Sequence, residues 1–361
     1  MRPLYVGATL QDCGKTSVSL GLVQAFINRH LDPGYIKPVG QRYINYFGQH
    51  VDEDAYLFYK VFELGERPKI MSPIAIRREF TREFIENPDV RPLEKKIYKC
   101  TERIMSHHKS MIVEGTGHAG VGSCFGLSNA RVAEMLDAKV VIVAAGGIGK
   151  PIDEINLNMA LFKQRNVEVI GVILNKVLPS KYEQVTAVMS KGLRLIGTNL
   201  LGAIPHLPTL TRFTIGQVAE EFGYEVLYGR KYLRNVVENT VVLAMQPEHG
   251  KSYIRKNSLV IAPIDRPESI RTAVETLKNF SPSNGALILA GGIKPDRQTH
   301  EFLRDSDIPV LASTQDTFSV SSNMVHLEFK ITVADTEKIE KLKALVDQYV
   351  DIDTIVQRLQ L

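Results

Sequence analysis

The chain has 361 residues, 44% of them hydrophobic, with 44 Lys and Arg against 40 Asp and Glu for a net charge of +4. That length predicts two packed domains rather than one, and charges so evenly mixed lack the basic stripe with which nucleic-acid binders displace counterions. Three cysteines, Cys13, Cys100 and Cys124, fit neither a zinc pattern nor a disulfide framework; with no secretory leader and no apolar run of about 18 residues, a cytoplasmic protein without a membrane segment is expected.

In chain order, "PLYVGAT", "GYIKPVG", "SMIVEGT", "KVVIVAA", "VEVIGVILN" and "NLLGAIP" are short β-branched runs that end in Gly, Asn or Pro turns. Strands this uniformly apolar belong to a parallel sheet covered on both faces. Between them "VSLGLVQAFINRH" predicts an amphipathic helix, and "RVAEMLD", "IDEINLNMALFKQR" and "KYEQVTAVMSKGLRLI" have helical spacing. The expected fold is α/β, a doubly wound, mainly parallel sheet over residues 1–208. "HLPTLTRFT", residues 206–214, breaks the rhythm and marks the boundary. Beyond it "SLVIAPID", "GALILAGG" and "IPVLAST" alternate with helices beginning near Pro267, Pro295 and Asp316. They predict a smaller α/β domain over 209–361 that closes with the helix-period run "DTEKIEKLKALVDQYV". The charged stretch 77–103 predicts a solvated helical face, with a mobile cover over a site as the alternative.

The chemistry is concentrated in "GATLQDCGKTS", residues 7–17. A loop that wraps phosphate needs converging backbone N–H groups, a helix N-terminus, a Lys for the β/γ charge and a hydroxyl for magnesium. Gly14, Lys15 and Thr16 supply these between a predicted strand and a predicted helix. Thr9, Asp12, Cys13, Gly14, Lys15, Thr16 and Ser17 are therefore the expected nucleotide contacts. The spacing departs from the usual pattern, with Thr9 five positions before Gly14. A magnesium nucleotide site also wants a carboxylate at the end of a neighbouring parallel strand, and "MIVEGTGH" places Glu114 there.

This loop resembles that of dethiobiotin synthetase and its relatives, although Ala8 stands where their glycine would be. The resemblance implies Glu114 as a magnesium ligand together with Thr16. It also implies a second acidic group in "VDEDAYLFYK", Asp54 being the nearer match and Asp52 a rival; either could instead cap the following helix. Lys37 in "GYIKPVGQ", held extended by the proline after it, matches the lysine that contacts substrate and transferred phosphate in that family, so Lys37 and Lys15 are the implied catalytic lysines. Asn175 in "VIGVILNKV" matches an asparagine that contacts the purine edge, or else an asparagine that accepts a left-handed turn after a strand.

The glycine-rich segment 114–130 contains "GSCFG", a formal match to a nucleophile elbow at Cys124. That reading is rejected because the preceding strand ends at Glu114 and no base partner is evident. His118 is expected to hydrogen-bond within the loop rather than act as a base.

Together these segments resemble the dethiobiotin synthetase-like domain at the amino end of long bacterial phosphate acetyltransferases. "IAPIDRPESI" and "ALILAGG" are similar to the DRTGG domain that follows it, with Asp265-Arg266 and Gly291-Gly292 matching and Ala290 in place of the threonine. No acyltransfer domain and no amidotransferase Cys-His pair is recognisable in the 361 residues, so a chain without acetyltransferase activity of its own is expected. The resemblance implies ATP and magnesium as cofactors, an unidentified small-molecule ligand and a homodimer. The first functional reading is a regulatory nucleotide sensor. The second is an ATP-dependent ligase that activates a carboxylate or carbamate as a phosphoric anhydride, with Lys37 holding the acceptor. A partitioning-type ATPase is disfavoured, since its loop carries a lysine where this one has Thr9, Leu10 and Gln11.

Overall fold

The computed structural model describes residues 2–280, 285–325, 327 and 329–361. The chain divides into two compact units, one of residues 1–207 with 331–361 and one of residues 208–330.

The first unit is built on six strands: β1 (Leu4–Ala8), β2 (Pro33–Ile36), β3 (Ser110–Glu114), β4 (Lys139–Ala145), β5 (Val169–Val177) and β6 (Leu200–Pro205). Every pairing among them is parallel, in the order β6-β5-β4-β1-β3-β2. All five residues of β1 and all five of β3 are buried, which is the physical counterpart of their apolar runs: both faces of the sheet are covered. The helices of this unit include α1 (Lys15–Asn28), α2 (Glu53–Phe62), α3 (Arg91–His107), α4 (Asn129–Met135), α5 (Gly149–Gln164) and α6 (Tyr182–Leu195). The carboxyl ends of β1, β3 and β5 bring the phosphate loop, Glu114 and Asn175 to one edge of the sheet, where ligands of open α/β folds gather.

Two expectations need correction. The α1 segment is not amphipathic: Leu20, Leu22, Val23, Ala25 and Phe26 are all fully buried, and a helix apolar all round must be covered on its outer side too. That cover is the closing helix α11 (Thr336–Tyr349), which belongs to the first unit and not to the second domain expected over 209–361. A Cβ at Gly21 would lie 2.2 Å from Val346 Cβ, so the glycine is what lets the two helices touch. The final helix α12 (Ile352–Leu359) continues the strap. Arg29 pairs with Asp347 at 3.1 Å and Asp353 at 2.8 Å, and Lys139 Nζ donates to the Arg358 carbonyl at 2.7 Å.

The second unit carries β7 (Glu225–Tyr228), β8 (Asn239–Val242), β9 (Ser258–Pro263), β10 (Ala286–Ala290) and β11 (Val310–Ser313), ordered β7-β11-β10-β9-β8 with only β7 antiparallel. Its helices are α7 (Ile215–Phe222), α8 (Pro267–Lys278), α9 (Arg297–Arg304) and α10 (Thr317–Val325). A capping box between Thr214 and Gln217 starts α7. At the end of β10, Gly292 has φ 70° and donates its amide to the Ser313 carbonyl at 3.1 Å, fixing the Gly-Gly turn against the end of β11.

The charged stretch 77–103 forms a short helix, Phe80–Glu86, and the greater part of α3. α3 buries Ile97, Thr101 and Ile104 and turns its charges outward, in agreement with a solvated face.

Candidate functional site

The loop that leaves β1 turns twice through left-handed backbone, at Asp12 (φ 58°) and Gly14 (φ 87°). Gly14 has two reasons to be glycine: its φ, and the Asn175 Nδ2 atom that would sit 2.1 Å from a Cβ. Asn175 donates that amide to the Cys13 carbonyl at 3.0 Å, and Lys176 Nζ reaches the Asp12 carbonyl at 2.9 Å. The loop carbonyls are thus pulled toward the end of β5. No backbone amide from Leu10 to Ser17 donates to a protein acceptor among the described residues. α1 has neither a side-chain cap nor an acidic residue in its first turn, so its positive end is left uncompensated.

Lys15 lies at that end. It is 8% exposed and makes no hydrogen bond or ion pair among the described residues. Burial holds its ammonium below the usual lysine range, with Lys37 adding repulsion, while Glu114 and Asp54 work the other way. Ala8 closes β1 in register with Val143, its side chain buried. Ser17 stands one position after Thr16 in the first turn of α1.

A second cluster, of ion-paired side chains, adjoins the loop. Glu114 is completely buried; its Oε1 accepts from Thr16 Oγ1 at 3.0 Å and its Oε2 from the Tyr35 hydroxyl at 3.0 Å. Lys37 Nζ lies 3.4 Å from Glu114 Oε1, 3.5 Å from Asp52 Oδ1, and in hydrogen-bond contact with Asp54 Oδ2. Burial pulls the Lys37 ammonium down, but Asp54, Asp52 and Glu114 more than offset it and hold the group well above the lysine range. Burial and then Glu114 raise the Tyr35 hydroxyl well above its ordinary value. Asp52 takes the capping role, accepting from the Asp54 amide at 2.9 Å, whereas Asp54 is in hydrogen-bond contact with Lys37 Nζ, a pairing that carried no expectation.

Three residues of this framework carried no expectation. Tyr35 is one; it sits two positions before Lys37, so strand periodicity alone aims both at the same side. Asn129, at the start of α4, accepts from the Tyr5 hydroxyl at 2.7 Å and the Thr116 amide at 3.0 Å, and donates to the Thr116 and His118 carbonyls. Asn158 on α5 accepts from the Ala119 amide at 2.7 Å and donates to the Thr9 carbonyl at 3.3 Å. It ties the phosphate loop to the glycine-rich segment.

His118 is exposed, and its Nδ1 accepts from the Gly120 amide at 3.2 Å. Cys124 is exposed on a single 3-10 turn, Ser123–Phe125, with no strand leading into it, whereas Cys13 is buried beside Thr9. Among the described residues no group of three His, Cys, Asp or Glu is arranged to hold a metal ion, and no helix is long and apolar enough to cross a membrane.

A family model described as an AAA domain matches residues 2–214, and a DRTGG domain model matches 217–327. The chain belongs to the AAA domain family. Phosphate acetyltransferase of Nitratidesulfovibrio vulgaris is 26% identical over 367 residues, covering 99% of this chain and 51% of that protein. The enzyme of the same name from Pseudomonas aeruginosa is 25% identical over 375 residues, 99% and 52% respectively. The chain thus spans about half the length of the curated relatives it matches. Among solved structures, the MinD cell division protein of Aquifex aeolicus overlaps 58% of this chain and 84% of its own at 13% identity, with a TM-score of 0.38. The CBS and DRTGG domains of Clostridium perfringens pyrophosphatase, complexed with diadenosine tetraphosphate, overlap 55% and 84% at 18% identity, with a TM-score of 0.26. A P-loop domain followed by a DRTGG domain, in the arrangement of the amino-terminal region of phosphate acetyltransferases, supports a nucleotide-binding module.

Proposed function

We propose that the first unit binds ATP on the loop from Thr9 to Ser17 and serves as a regulatory nucleotide sensor, without acetyltransferase chemistry of its own. The observation that carries this reading is Lys15: a buried ammonium with no protein partner, at the head of an uncapped helix and beside a run of amides with no acceptor. An unpaired buried charge is costly, and a polyphosphate is the ligand that satisfies the lysine and the amides together.

Magnesium fits the donor set. The Thr16 hydroxyl and Glu114 carboxylate are hard oxygen donors 3.0 Å apart, with Asp54 joined to Glu114 through their shared contact with Lys37, and magnesium takes few protein ligands when phosphates complete its shell. Bound there it would neutralise phosphate charge. Asn175 serves in this reading as a brace for the loop, since its amide already holds the Cys13 carbonyl. Ligase turnover would need Lys37 for an acceptor, yet three carboxylates already surround its ammonium. That arrangement favours binding over turnover. The DRTGG unit would relay occupancy, and a homodimer belongs to the same reading.

Calorimetric titration of magnesium-ATP into the wild type and Lys15→Ala, followed by a phosphate-release assay, tests it. The variant is expected to bind at least about tenfold more weakly, as loss of a charge-assisted contact requires, and neither protein should release phosphate steadily. Equal affinity in the two proteins would refute the site, and sustained release would replace the sensor with an ATPase or ligase.

A further inference from the structure

The first unit has a second cleft, of 320 Å³, away from the phosphate loop. One wall is the strand Gln49–Asp52 of the hairpin formed with Tyr43–Tyr46. Another is Ile74–Ala75, which pairs with Val39–Gly40, and a third is the first turns of α3. Its lining is divided by chemistry. Lys69 and Lys96 bring cationic groups and His50 its carbonyl, while Ile74, Phe80 and Leu93 make an apolar side.

The two lysines are not neutralised by the protein. Neither makes an ion pair with a carboxylate among the described residues. Lys69 Nζ is positioned by the His50 carbonyl at 2.8 Å. Burial and then the nearby Lys96 charge hold the Lys69 ammonium below the ordinary lysine range. Two like charges held near each other in a partly enclosed space are unfavourable until an anion joins them. Ile74, Phe80 and Leu93 pack against the core of the unit and turn only part of their surface to the cleft, and that part is apolar, which suits hydrocarbon better than a bare inorganic anion. A volume near the lower end of ordinary ligand sites suits a metabolite of a few carbon atoms.

We propose that this cleft binds a small organic carboxylate, with its charged end between Lys69 and Lys96 and its hydrocarbon body against Ile74, Phe80 and Leu93. The assignment does not depend on nucleotide binding at Lys15. The cleft and the Lys37 cluster nevertheless share the strand Gln49–Asp52, on which Asp52 follows His50 by two residues.

Equilibrium dialysis of the full chain against radiolabelled butyrate, succinate and inorganic phosphate tests the proposal. Saturable binding of butyrate or succinate is expected, at least tenfold tighter than phosphate. It should weaken at least tenfold in Lys69→Gln/Lys96→Gln and be unchanged in Lys15→Ala. Both lysines are at least partly exposed, and unaltered thermal melting of the double variant would confirm that it folds. No saturable binding of either organic acid, binding unchanged in the double variant, or phosphate binding as tightly as the organic acids would each overturn the proposal. A chain that fails with ATP but binds succinate would refute the sensor reading alone.

Discussion

Lys15 and Lys37 are both less than a tenth exposed and border the same Glu114, yet they have opposite surroundings. Lys37 is held among three carboxylates, and its ammonium is stabilised there in spite of burial. Lys15 makes no ion pair or hydrogen bond among the described residues, and burial outweighs the pull of Glu114 and Asp54 on its ammonium. A lysine that the fold has neutralised belongs to the framework. A lysine that the fold has buried without an ion pair is the feature on which the proposed phosphate site rests.

The greatest loss should follow from breaking the paired lysine. In Lys37→Met, Asp52, Asp54 and Glu114, none with a side chain more than 4% exposed, lose their shared cation. Removing one partner from a buried ionic group typically costs about 3–5 kcal/mol, and denaturant unfolding of the variant should show a loss of that order. Tyr35→Phe is the next test on the same side. It deprives Glu114 Oε2 of its donor, and hydrogen bonds to charged groups are worth about 1.5–3 kcal/mol. An unfolding midpoint equal to the wild type would mean that Glu114 is held without the tyrosine.

Much of this arrangement is legible in the sequence because it is local. Gly-Lys-Thr between an apolar strand and a helix points to the loop, and Glu114 closes a later apolar run, so two strand ends suggest the site without knowledge of the packing. What escaped detection depends on partners distant in sequence. Asn129 and Asn158 are indistinguishable from solvent-facing helical asparagines until the loops they hold are seen. The strap 336–349 has a helical period, but no local signal says which unit it covers; the clue lay elsewhere, in a first helix with no polar face and in Gly21 at its middle. The hairpin over Tyr43–Tyr46 and Gln49–Asp52 passed unnoticed because its alternation is aromatic and polar rather than apolar, and its turn takes left-handed backbone at Phe47 (φ 48°) as well as Gly48 (φ 75°).

On the Lys15 side the framework is hydrogen-bonded rather than ionic, and its losses should be smaller. Asn158→Ala removes the acceptor of the Ala119 amide and a donor to the Thr9 carbonyl. A buried amide left unsatisfied costs about 1–3 kcal/mol. The more telling readout is ligand binding: if Asn158 holds the loop for phosphate, magnesium-ATP affinity should fall with stability, and unchanged affinity would mean that the loop keeps its shape without this tie.

The smallest effect, and the one of opposite sign, is expected at Lys15 itself. Lys15→Met keeps the aliphatic path and removes an unpaired buried charge, so the ligand-free protein should be slightly more stable at pH 7, by less than about 1.5 kcal/mol. The pH dependence separates this cause from better packing. Because the folded protein holds the Lys15 proton less tightly than the unfolded chain, the unfolded state binds more protons between the lowered value and the ordinary 10.5, and wild-type stability gains from this group as pH rises through that window. The advantage of Lys15→Met should therefore shrink from pH 7 toward 10.5. Lys37 cannot produce this change, since its contribution is fully present below 10.5 and is lost only as pH rises through its higher folded value. A variant that is less stable than wild type at pH 7, or an advantage that stays constant up to pH 10.5, would show that Lys15 already has its charge satisfied within the fold.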